Sequence, residues 1–127
     1  MADSILDSIK KSLDIATDDD SFDSDIKLHA NAALGILVQN GIGKRLTISD
    51  GSETWDDFKD GTQVNGNQLF ELIPQYVFVY VKILFDPPAA AASLKAYRAT
   101  CDELLWRLNV EYDTDARIKE GESNELL

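Results

Sequence analysis

Between positions 69 and 85 the chain is apolar apart from Glu71, Pro74, Gln75 and Lys82, and this run governs how everything else must pack. It is much longer than an ordinary strand, and a bilayer span wants about 20 mainly apolar residues, so burial in a protein core is the better reading. Positions 76–81 alone have strand propensity, but the length favours a helix over about 68–85. Pro74 either kinks that helix or marks its effective start. Because its apolar side chains lie nearly all round, the helix belongs at the centre of the fold or between its own chain and a neighbour. Asp86-Pro87-Pro88 stops it sharply, and the prolines open the next helix, whose first amides would lack partners anyway.

Three further helices follow from the 3-to-4 spacing of apolar residues. The first spans about 4–14, with Ile5, Leu6, Ile9 and Leu13 on one face and Ser4 with Asp7 as a weak capping box. The second begins near 20, capped by Asp20 or Ser21. It carries Phe22, Ile26, Ala30, Ala33, Leu34 and Leu37 on one face and ends at Gly41 and Gly43. The fourth covers about 88–110, with Leu94, Tyr97, Cys101, Leu104, Leu105 and Leu108 in one stripe and Trp106 off it. From 44 to 67 the helical period gives way to turn residues. Leu46 and Ile48 alternate with polar neighbours, and Thr54-Trp55 follows an Asp50-Gly51 turn, so a short β-hairpin or loop excursion is expected, anchored by Trp55 and Phe58. The fold class is mainly α: a bundle of about four helices with that excursion between the second and third.

One domain of ordinary size accommodates 127 residues, and 44% hydrophobic composition suffices for a core. The charge is uneven. Residues 1–27 carry eight acids against three bases, residues 67–110 four of each, and residues 111–127 six acids against two bases. A helical domain over 1–112 and an acidic, aperiodic tail over 113–127, flexible when alone, are therefore expected. The net charge of -11 argues against a protein that grips nucleic acid through phosphates or attaches to an anionic membrane. The N-terminus has neither the basic region nor the apolar run of a signal peptide, and a soluble, intracellular origin is the expectation.

Motifs for chemistry fail one by one. Cys101, the only cysteine, lies in the apolar stripe of the fourth helix and reads as a core thiol. His29, the only histidine, reads as a packed or capped side chain, and no motif supports its use as a base with a serine. The segment Gly41-Ile42-Gly43-Lys44-Arg45 lacks the first glycine and the hydroxyl residue of a phosphate loop and follows a helix. The acids at 18–20, 23 and 25 lack the alternation, central glycine and closing Glu of a calcium loop. No enzyme, cofactor or metal site is expected.

Several blocks taken together resemble the head-to-tail connector (adaptor, head-completion) proteins of tailed double-stranded DNA bacteriophages. They are the opening Ser4-Ile5-Leu6-Asp7-Ser8-Ile9-Lys10-Lys11, then Phe22-Asp23 with Asp25-Ile26 and on to His29 and Asn31. Gln39-Asn40-Gly41-Ile42-Gly43, Ile48-Ser49-Asp50 and Thr54-Trp55 with Asp57-Phe58 continue the series. Most specific are Tyr80-Val81-Lys82-Ile83-Leu84-Phe85-Asp86-Pro87-Pro88 and Glu103-Leu104-Leu105-Trp106-Arg107-Leu108-Asn109. Pro74 and the longer acidic tail depart from the family pattern.

The resemblance implies a structural neck protein, assembled in the host cytoplasm and resident in the virion. It would form a homo-oligomeric ring of about twelve copies beneath the portal protein, meet a downstream neck or tail protein, and let DNA through as passing genome only. It offers no catalytic residues. Trp55, Phe58, Tyr76, Tyr80, Trp106, Arg107 and Tyr112 are the interface candidates, and the N-terminal helices and the 41–65 excursion are expected to touch neighbours. The net charge also suits an alternative, an acidic DNA mimic that inhibits a host DNA-binding enzyme.

Overall fold

In a computed structural model of the chain, residues 4–58 and 66–125 are described, with side chains over 4–58 and 72–110. Among the described residues five helices follow one another: α1 (Ile5–Ser12), α2 (Asp23–Gln39), α3 (Trp55–Phe58), α4 (Gly66–Phe85) and α5 (Ala91–Glu125). The fold is the small helical bundle that the apolar spacing predicts, with one short helix more.

α1 starts where Ser4 Oγ accepts the Asp7 amide at 3.0 Å, and Ile5, Leu6 and Ile9 turn inward. The second helix begins one or two residues later than expected. Phe22 is its N-cap and makes no side-chain cap bond, while Asp23 and Asp25 place negative charge in the first turn, where the helix dipole favours it. Its C-terminus closes with two bonds, from the Gly41 amide to the Val38 carbonyl and from the Ile42 amide to the Leu37 carbonyl, each 2.9 Å. That wrap needs a left-handed residue, which Gly41 supplies at φ 79°.

The excursion is a loop and not a hairpin, and no strand is present among the described residues. Ile48 spends its backbone polar groups on Asn31 of α2: Asn31 Oδ1 accepts from the Ile48 amide at 2.7 Å and Asn31 Nδ2 donates to the Ile48 carbonyl at 3.2 Å. The side-chain amide thus takes the place of a neighbouring strand. Thr54 forms an isolated bridge with Ser4, and the Ile5 amide donates to the Glu53 carbonyl at 2.8 Å. Thr54 and Asp57 then cap α3 reciprocally, each side chain accepting the other's amide, so Trp55 opens a helix and returns no strand. The part of the excursion at 59–65 lies outside the described residues.

α4 is central, as its all-round apolar character requires, and contacts α1, α2 and α5. It runs unbroken past Pro74, which therefore does not mark its start. Ile73, Tyr76, Val77 and Val81 are buried along it. Phe22, at the start of α2, meets Phe85, at the end of α4, edge to face with centroids 5.5 Å apart, so α2 and α4 run antiparallel. The short link 86–90 makes α4 and α5 antiparallel as well. α2 and α5 consequently run in the same direction with α4 between them.

The last helix corrects the sequence expectation most. It does not stop at 110: the backbone remains helical to Glu125, through positions expected to be an aperiodic tail. At 1.5 Å per residue, α4 is about 30 Å long and α5 about 52 Å, so α5 outruns its partner by about 22 Å.

Candidate assembly surface

The aromatic candidates divide according to the element that carries each. Phe58 is 1% exposed, and its carbonyl accepts the Lys44 amide at 2.8 Å. Its ring fills the space above Gly43, where φ is 76° and an added Cβ would overlap the ring. Trp55 is half-buried. Its indole stands edge-on to Phe78 at 5.9 Å, and Nε1 donates to Ser8 Oγ at 3.2 Å. These contacts hold α3 to α1 and α4, the anchoring that the sequence leads one to expect.

Tyr76 is 3% exposed and stacks at a tilt on half-buried Tyr80, with centroids 6.0 Å apart. Its neighbour on α5 is Cys101, also buried. Burial pushes the Cys101 thiol up to about 11 and pushes the Tyr76 phenol above its ordinary range. A thiol kept protonated is a weak nucleophile near neutral pH, which agrees with reading it as a core residue.

Trp106 and Arg107 are different. Both are exposed on α5, Trp106 at 65%, and Trp106 lies on the side of the helix away from Cys101, Leu104 and Leu108. The backbone of Tyr112 belongs to α5, and its side chain lies outside the described residues. Leu28 on α2 was missed by sequence reasoning and is 66% exposed. The available signal was its position off the stripe of Ile26, Ala30, Ala33, Leu34 and Leu37.

Two shallow grooves border α4. One, of about 230 Å³, lies between Tyr80, Ile83 and Leu84 and the facing Arg98, Cys101 and Asp102. The other, of about 250 Å³, is lined by Ser12, Phe78, Val79, Lys82 and Tyr97. Neither gathers the convergent polar groups of a small-molecule site. Among the described residues, no three His, Cys, Asp or Glu side chains are placed to hold a metal ion. Two acids around the start of α2 are engaged locally: Asp19 is held below the usual carboxylate range by its hydrogen bonds with Ser21, and Asp23, the first residue of α2, pairs with Lys10 at 2.7 Å.

The phage connector protein family matches residues 5–115, a span running from the first residue of α1 well into α5. The chain belongs to the phage connector protein family. No curated protein and no solved structure matches it. Membership gives this connector protein a structural role at the virion neck, in a family that is structural and not enzymatic and that interacts with other neck and portal components. The matched span contains every block on which the resemblance rests from Ile5 onward. Among the described residues, no helix is long and apolar enough to cross a membrane.

Proposed function

We propose that the protein is one wedge of a homo-oligomeric ring of about twelve copies, seated beneath the portal, that bridges capsid to tail and lets the genome pass. The observation that carries this reading is Trp106, an indole 65% exposed on the outer side of α5. A lone subunit leaves that apolar surface in water, and a neighbour covers it at a gain of roughly 25 cal/mol per Å². Arg107 beside it, and Tyr80 and Trp55 with their part-exposed rings, are the remaining candidates for contact. Phe58 and Tyr76 contribute from within, by holding the elements that present the surface.

The acid supports DNA passage. A channel lined with cations would hold the genome through phosphate contacts, and carboxylates avoid this. Part of the acid at 18–20 faces the channel on this reading, and the last turns of α5, up to Glu125, point toward the portal or an adjacent subunit. A phage lacking the protein should accumulate filled heads without tails, with gold-labelled antibody marking the neck of the parent virion. Tailed, infectious particles made without it would contradict the role. Lysine at Asp18 and Asp20 should slow packaging or ejection, and unchanged infectivity would count against acids in the channel.

A further inference from the structure

Two faces of the bundle remain uncovered once its core is assembled, and they are complementary. α2 turns Ile26, Ala30, Ala33, Leu34 and Leu37 inward, which leaves Asp25, Leu28, Ala32 and Gly35 exposed on its outer side. A side chain added at Gly35 would meet nothing within 4 Å. α5 turns Cys101, Leu104 and Leu108 inward and leaves Lys95, Ala99 and Trp106 exposed. Along α2, a large side chain at Leu28 is followed two helical turns later by a gap at Gly35. Along α5, a small residue at Ala99 is followed after the same interval by a large one at Trp106. Set side by side in the parallel sense, each knob meets a hole: Leu28 lies over Ala99 and Trp106 over Gly35. The same register brings Asp25 level with position 96, one residue from Lys95, which is opposite in charge.

The subunit cannot make this contact with itself, because α4 stands between α2 and α5. We propose that a second copy of this chain supplies it, the outer face of α5 in one copy packing on the outer face of α2 in the next. This specifies the subunit contact of the ring and rests on that reading.

The topology independently comes within two residues of that register. α2 and α5 run in one direction within a subunit, and rotation about an axis along the helices preserves direction, so α5 meets the neighbour's α2 parallel. A closed ring permits no climb from copy to copy, so the contact must join positions that already stand at one height. Phe22 is level with Phe85, and α5 starts just across the short link, at Ala91. Position 22 therefore stands near the height of position 91. Side-chain matching asks instead for position 93, a difference of two residues, or about 3 Å along a helix.

The test places Leu28→Cys and Ala99→Cys together in the full chain with Cys101→Ala, and treats the assembled protein with a short bis-maleimide. The expected result is a ladder of covalent dimers, trimers and higher multimers on a denaturing gel, with each single-cysteine variant running as monomer. Ring-sized particles by native mass spectrometry with no ladder would overturn the proposed faces and leave the ring reading standing. Monomers with no ladder would overturn both. A second variant guards against misfolding. Gly35→Phe enters open space, so the helical circular dichroism should be unchanged while assembly weakens at least about tenfold, and adding Trp106→Ala should restore it. Undiminished assembly of Gly35→Phe, or no restoration in the double variant, would overturn the proposal.

Discussion

Lys10, in the last turn of α1, places its ammonium 2.7 Å from Asp23 Oδ1, in the first turn of α2, and is itself 2% exposed. It also donates to the Thr17 carbonyl at 3.1 Å. One buried cation thus ties both ends of the 13–22 connection to the bundle. Removing one partner of a buried pair leaves the other charge without compensation, which costs about 3–5 kcal/mol when both are fully buried. Asp23 is part-exposed, so Asp23→Ala should cost less, about 2–3 kcal/mol. Lys10→Met, which removes the buried charge and keeps the stem, should cost less again. Urea denaturation of the two variants and their double mutant checks this, and purely additive losses would contradict a coupled pair.

Gly43 and Gly41 are both left-handed, at φ 76° and 79°, yet only Gly43 lies under a ring. Gly41→Ala should cost about 1–2 kcal/mol for the backbone alone. Gly43→Ala adds overlap with Phe58 and should cost about 2–5 kcal/mol in all. Equal losses in thermal or urea unfolding would show that Phe58 moves aside freely.

Such contacts explain what the sequence revealed and what it withheld. The apolar run at 69–85 and the stripe through Cys101, Leu104 and Leu108 are properties of period and length, so the central and last helices were legible. Asn31 clasping Ile48 is a side chain replacing a strand across 17 positions, and no local pattern announces it. The excursion consequently looked like a possible hairpin. The burial of Lys10 depends on a carboxylate thirteen positions away. The apolar period of α5 ends at 110, so the sequence alone predicts a helix that stops there, although a polar helix can continue without a period. Among the site residues, Trp106 stood out by lying off its stripe. Leu28 did the same on α2, and an aliphatic side chain draws less notice than an indole.

Alkaline pH should destabilise the fold. Burial keeps Cys101 protonated up to about 11, against 9.0 for a free thiol, and shifts Tyr76 upward from 10.0. Above those ordinary values the unfolded chain has released protons that the folded chain retains, so the unfolded state gains with rising pH. The contribution of these two groups should be constant below about pH 8.5 and then fall through pH 9 to 11, by up to about 1.4 kcal/mol per pH unit for each group. Urea midpoints at pH 7.5 and 10 check this, and Cys101→Ala should remove the thiol's share. A pH-independent midpoint would contradict it.

Truncation after Tyr112 removes the stretch where α5 has outrun α4. The last buried side chain on α5 with described surroundings is Leu108, so the shortened chain should fold with nearly unchanged thermal stability and assemble less well. Loss of folding would place the domain boundary beyond 112.

The central claim is that copies of this chain close into a ring. Negative-stain electron microscopy of the purified, full-length protein tests it most directly. The account predicts closed rings with an open centre, of about twelve subunits. Single, unassociated subunits at every concentration examined would contradict it.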